Sequence, residues 1–64
     1  MDVELARTFL VVVATGSFVD AAQRLHVTQS TVSTRIQRLE EILGAELFVR
    51  NKSGARLTPA GERF

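Results

Sequence analysis

The chain has 64 residues, a net charge of +1, 45% hydrophobic and 23% charged residues, and no cysteine. This composition excludes a disordered tail, a disulfide scaffold and a thiolate zinc site, and the longest apolar run is too short to cross a bilayer. The acidic first residues lack the basic segment of a signal peptide, so we expect a cytoplasmic protein, and the short unstapled chain suggests a fragment or an obligate partner.

The first predicted element is a helix from Val3 to Thr15. Its apolar residues Leu5, Phe9, Val12 and Val13 recur at helical spacing, and Gly16 is a suitable residue just beyond the end. Residues 10–13 also have the β-propensity of a buried strand. A strand ending there would need a pairing partner nearby, and none follows, so the helix is favoured.

A second helix is predicted to begin after Ser17, with Asp20 in the third helical position of a capping box. Phe18, Ala21, Ala22 and Leu25 then fall on one face of two helical turns. The pattern breaks at residues 26–27, where His26 is suited to a tight turn with positive φ.

A third helix is predicted from Gln29 to Leu43, with Thr28 as its N-cap and Gly44 just beyond its end. Its apolar stripe consists of Val32, Ile36, Leu39 and Leu43. The other face of its first half is rich in Gln, Ser, Thr and Arg and has no carboxylate. Four Ser and Thr residues are unfavourable for helix propensity, which suggests that this face has a functional role.

The last predicted elements are a β-hairpin and the start of a fourth helix. Strands at 47–50 and 55–58 flank a polar turn at 51–54, and Thr58 and Pro59 are typical N-cap and first-turn residues. Since the fourth helix has scarcely begun at Phe64, we expect the chain to be the N-terminal piece of a longer protein.

The small net charge conceals an uneven distribution. Residues 1–23 carry −2, residues 24–39 carry +3, residues 40–49 carry −3 and residues 50–64 carry +3. Two basic blocks of this kind form a footprint for a polyanion if the fold brings them together.

The inventory of reactive side chains argues against an enzyme. The chain has one histidine, no cysteine and scattered carboxylates, so no set of nucleophile, base and orienting residue can be assembled. It also lacks the glycine-rich phosphate loops and the HExxH metal motif. We therefore predict no catalytic activity, and no cofactor in this domain.

The second and third helices, joined by a short turn, predict a helix-turn-helix. In such a unit the apolar back of the recognition helix rests on the preceding helix, while its polar N-terminal half reaches base edges. Gln29 is suited to a bidentate contact with adenine, and Ser and Thr reach phosphates or bases. Helix-turn-helix units also serve as protein-binding modules, and the polar face is alternatively a solvated surface.

One ordered set of residues extends in a single register over essentially the whole chain: Phe9, Gly16-Ser17-Phe18, Ala21-Ala22, Leu25, Thr28-Gln29, Val32-Ser33, Ile36, Leu39-Glu40, Leu43-Gly44, Leu47-Phe48, Arg50, Leu57-Thr58 and Ala60-Gly61. In this set the chain resembles the N-terminal domain of LysR-type transcriptional regulators. The resemblance implies a mainly α winged helix-turn-helix, a three-helix bundle with a short β-hairpin wing, at residues 1–58. Residues 59–64 would start a linker helix.

The resemblance also implies the partners. These are double-stranded promoter or operator DNA and a second copy of the chain, in a homodimer or tetramer formed through the linker helix, with no membrane contact. A small-molecule effector is implied for a C-terminal domain outside this chain. Leu10, Val11 and Val13 exceed what one small core needs, so we expect part of this surface to pack on the linker helix.

The predicted DNA-binding residues are Thr28, Gln29, Ser30, Thr31, Ser33, Thr34, Arg35, Arg38, Arg50, Lys52 and Arg56. The resemblance places Thr28, Gln29 and Ser33 on the recognition helix and Arg50 at the base of the wing. Many family members have proline where this chain has Ser30, and many read Ser-Arg-Gln-Ile where it reads Ser33-Thr34-Arg35-Ile36. The arginine is thereby displaced by one residue, about 100° around the helix. For Arg38, an ion pair with Glu40 or Glu41 is an equally open alternative.

Overall fold

The computed structural model describes residues 3–51 and 54–63, and within them four helices and one hairpin follow each other along the chain. The elements are α1 (Val3–Thr15), α2 (Phe18–Leu25), α3 (Gln29–Leu43), β1 (Phe48–Asn51), β2 (Gly54–Leu57) and α4 (Pro59–Arg63). The first three helices pack on one another, and the hairpin packs on α1 and α4. The predicted winged helix-turn-helix is confirmed.

Helix α1 is a helix over its whole predicted range, so the strand alternative is excluded. Its buried residues are Leu5, Thr8, Phe9 and Val12, whereas Val13 is 41% exposed. Leu10 and Val13 were expected to exceed the core, and both are exposed, whereas Val11 is half-buried and packs against the core. At 100° per residue the buried arc is centred between Thr8 and Phe9, which leaves Val13 at its margin.

The cap residues end and begin α2 and α3 as predicted. Ser17 Oγ accepts a hydrogen bond from the Asp20 N–H at 3.3 Å. His26 has φ 58°, and the N–H of Val27 donates to Ala22 O at 3.0 Å, so the chain reverses within a few residues. Thr28 then caps α3 through the Thr31 N–H. The turn fixes α2 against α3.

Burial along α3 stops one turn before the helix ends. Val32, Ile36 and Leu39 have no exposed surface, while Leu43 is 38% exposed. Leu43 was predicted on the buried stripe, and that prediction is wrong. It points in the same direction as Ile36, but the last turn of α3 extends beyond the helices that cover the stripe.

The hairpin strands are shifted by one residue from the predicted ranges. Asn51 pairs with Gly54, so both belong to the strands rather than to the turn. Leu47 and Thr58 lie one residue outside the strands, although the Thr58 N–H still donates to Leu47 O at 2.9 Å. The Leu47 N–H donates to a carboxylate of α3, and Thr58 Oγ1 accepts from the Gly61 N–H at 3.0 Å to cap α4. The predicted start of a fourth helix is confirmed.

Candidate nucleic-acid interface

The N-terminus of α3 presents a compact group of hydroxyls. Thr28 Oγ1 accepts from the Thr31 N–H at 3.2 Å and lies 3.1 Å from Ser30 Oγ and 2.9 Å from Thr31 Oγ1. Thr28, Gln29 and Ser30 are exposed. The cap therefore holds three hydroxyls together beside the positive end of the helix dipole, where an anion is stabilised.

Farther along α3, the predicted residues divide between two environments. Thr34 and Arg38 are exposed, whereas Ser33 and Arg35 are half-buried. One groove beside the first turn of α1 collects five of the predicted residues, namely Ser30, Thr31, Thr34, Arg35 and Arg38, together with Glu4 and Leu5. Gln29 and Ser33 are not among the residues that line this groove.

The side chain of Arg35 is directed toward α1. Its Nη1 lies 3.4 Å from Glu4 Oε2 and 3.5 Å from Thr8 Oγ1, and 27% of the side chain is exposed. A contact between Arg35 and DNA stays a prediction. Sequence reasoning missed Glu4 as a partner because the pairing depends on how α1 packs against α3, which no local spacing encodes.

The carboxylate of Glu40 connects α3 to the wing. Its Oε2 accepts hydrogen bonds from the N–H of Leu47 at 2.7 Å and of Phe48 at 3.4 Å. Glu40, named above in the ordered residue set and as an alternative partner for Arg38, is thus a positioning residue for the hairpin. Its place near the end of α3, shortly before the hairpin, is the one sequence signal for that role.

The base of the wing is fixed to the helices at two points. The Phe48 ring lies 5.4 Å from the Phe9 ring and 5.8 Å from the Phe18 ring, centroid to centroid, so the three buried rings pack together. The Ala55 N–H donates to Gly16 O at 3.1 Å. These contacts hold the hairpin beside the turn that precedes α2.

The wing carries the remaining predicted residues. Arg56 is exposed on β2, opposite Val49 of β1. Arg50 pairs with Ala55 in the ladder, but its side chain lies outside the described residues, and so does Lys52. The structure therefore places Arg56 on the wing surface and leaves the other two side-chain assignments as predictions.

Residues 3–51 and 54–63 include no cluster of His, Cys, Asp or Glu that could hold a metal ion. In the same part of the chain, no helix has the length and apolarity to cross a membrane.

Comparison with known proteins identifies the family. The model of the bacterial regulatory helix-turn-helix proteins of the lysR family matches residues 3–62. The chain belongs to the lysR family. A curated relative, the HTH-type transcriptional regulator HdfR of Yersinia enterocolitica serotype O:8, is 57% identical to this lysR-family chain over all 64 residues. The family and its member HdfR are transcriptional regulators. This confirms the prediction that the chain is not an enzyme.

Solved structures of the family superpose closely on this lysR-family chain. The CbnR_DBD–DNA complex is 38% identical with a TM-score of 0.96, and the match covers all of this chain and 74% of that one. The BenM_DBD/catB site 1 DNA complex is 39% identical with a TM-score of 0.93, covering all of this chain and 72% of that one. The chain spans 22% of the length of HdfR.

Proposed function

We propose that this lysR-family chain binds double-stranded DNA sequence-specifically as part of a transcriptional regulator. The observation that carries the proposal is the division of α3 into two sides. Val32, Ile36 and Leu39 are fully buried, while the polar N-terminal half bearing Gln29 and Thr34 is exposed. A helix held by its back with a donor-rich front fits the major groove. The similar CbnR_DBD and BenM_DBD structures are DNA complexes.

The residues of α3 have distinct roles in this proposal. The recognition helix, about residues 28–43, enters the major groove, and Gln29 and Ser33 read base edges. The hydroxyls of Thr28, Ser30 and Thr31 and the helix N-terminus bind a phosphate. Thr34, Arg35 and Arg38 contact bases or the adjoining backbone.

The wing supplies contacts outside the recognition helix. Arg50, Lys52 and Arg56 bind flanking phosphates or the adjacent minor groove. Because Phe48 and Ala55 fix the hairpin to the helical core, the wing approaches DNA at a set position relative to α3.

The assembly that we propose is a homodimer or tetramer formed through the linker helix that begins at residue 59. Three apolar residues of α1 support it, since Val3 is 78%, Leu10 64% and Val13 41% exposed. An exposed apolar stripe on a small domain favours a covering partner. Unchanged hydrogen exchange in α1 on extending the chain by that helix would contradict the assignment. A cytoplasmic location and a small-molecule effector bound by a C-terminal domain belong to the same proposal.

Electrophoretic mobility shift with pooled genomic DNA at several salt concentrations tests the function. If each protomer neutralises about four phosphates, the slope of log K against log salt for a dimer approaches about −7. The double substitution Gln29→Ala and Ser33→Ala should relax sequence preference, whereas Arg56→Ala should weaken binding to all sequences alike. Arg24→Ala, which removes an exposed cation outside the proposed interface, is the matched control. A slope near zero would exclude DNA binding and favour a protein-interaction module.

A further inference from the structure

The groove beside α1 places one acid among the cations proposed to meet DNA. Glu4 lines it together with Arg35 and Arg38, and its carboxylate lies 3.4 Å from Arg35 Nη1. Glu4 is in the first turn of α1, so its charge enters the groove only through the packing of α1 on α3. A carboxylate at this position repels a phosphate and attracts the guanidinium that a phosphate would use.

Arg35 is held against α1 by two groups one helical turn apart. Thr8 is fully buried, and its hydroxyl donates to the backbone oxygen of Glu4 at 2.7 Å, which fixes the position of Oγ1. Thr8 Oγ1 in turn accepts a hydrogen bond from Arg35 Nη1 at 3.5 Å. Thr8 and the Glu4 carboxylate therefore define one docking position for the guanidinium, on the α1 side of the groove.

The ion pair between Arg35 and Glu4 is weak enough for a phosphate to replace the carboxylate. The side chains of Arg35 and Glu4 are 27% and 55% exposed. An ion pair with this exposure shifts the equilibrium between its paired and separated states by at most about fivefold. An arginine–phosphate contact is charge-assisted, often bidentate, and releases condensed counterions from DNA. A phosphate seated in the groove can therefore take Arg35 from Glu4, whereas a loosely placed phosphate cannot.

We propose that Glu4 competes with DNA phosphate for Arg35 and thereby lowers the affinity of binding. This inference rests on the proposed DNA-binding function. In a closely fitted complex the phosphate displaces the carboxylate, so the contact of Arg35 with DNA is weakened by the loss of its ion pair with Glu4. In a loose, non-specific complex Arg35 stays on Glu4 and makes no phosphate contact. The acid thus limits what Arg35 contributes to either complex.

Glu4→Gln tests the competition because it removes the charge and keeps the shape. We expect it to strengthen binding by up to about fivefold, at least as much on a duplex selected for tight binding by the wild-type protein as on a random-sequence duplex. The log–log salt slope on random DNA should steepen by up to about 0.9 for each protomer as Arg35 becomes available. Glu41→Gln, which removes an exposed acid from α3, controls for net charge.

A double-mutant cycle separates competition for Arg35 from general repulsion. In an Arg35→Gln background, Glu4→Gln should have a smaller effect on affinity than in the wild-type background, because only the repulsion between Glu4 and phosphate then remains. An undiminished effect in that background, or equal effects of the two acids in the wild-type background, would overturn the inference. All variants are measured in the protein at its natural full length, with folding checked by circular dichroism. If the wild-type protein lacks salt-dependent DNA binding, the proposed function itself fails.

Discussion

Removal of the Glu40 carboxylate should loosen the junction between the recognition helix and the wing. In Glu40→Ala, the N–H groups of Leu47 and Phe48 lose the acceptor that now lies 2.7 and 3.4 Å away. Both residues are almost fully buried, with 1% and 6% exposure, so water does not readily replace the carboxylate. A buried N–H without a partner destabilises the folded state.

The distances give the size of the effect. A hydrogen bond to a charged acceptor contributes about 1.5–3 kcal/mol, and the longer of the two contacts contributes less. Because Glu40 is half-buried, we take the lower part of that range and expect a loss of about 2 kcal/mol from the free energy of unfolding. For a domain of this length the total is roughly 3–10 kcal/mol. The melting temperature should fall by about 8–16 °C.

Urea and thermal unfolding monitored by circular dichroism measure this loss, with Glu41→Ala as the control. The two acids are neighbours in the last turns of α3 and have the same charge, helix propensity and unfavourable position near the negative end of the helix dipole. The difference between the variants therefore isolates the hydrogen bonds to the wing. Equal stabilities within about 0.5 kcal/mol would refute the assigned role of Glu40.

Three backbone positions give further predictions. Gly54 has φ 135°, and a β-carbon there would lie 2.5 Å from Gly16 O, so Gly54→Ala should lower stability by about 1–3 kcal/mol and speed amide exchange in β2. Gly44→Ala has open space around the new β-carbon and should cost about 1 kcal/mol, and an equal loss for both would contradict the close approach. His26→Gly should raise the melting temperature by a few degrees, since φ is 58° there and the side chain is exposed; a decrease would show that the imidazole contributes packing.

The helices could be predicted from the sequence because their ends are encoded locally. Ser17, Thr28 and Gly44 cap helices through bonds that span only a few residues, so the boundaries of α2 and α3 agree with prediction. The strands are displaced by one residue, and Leu47, just before β1, is bonded to Glu40, seven residues earlier and on another element. Thr8 was not predicted in the core because hydropathy does not mark a polar residue as buried.

The acids show most clearly what the sequence could not predict about the site. In the charge pattern, Glu4 and Glu40 lie in the two acidic blocks and look like solvated counterparts of the basic ones. In the fold, Glu4 holds Arg35 in the groove and Glu40 holds the wing by its backbone. Glu41 has the same chemistry and a neighbouring position, yet it is exposed, because only tertiary packing decides which acid meets a cation or an N–H. The basic blocks thus predict the class of partner, while two acids outside them hold Arg35 of α3 and the base of the wing.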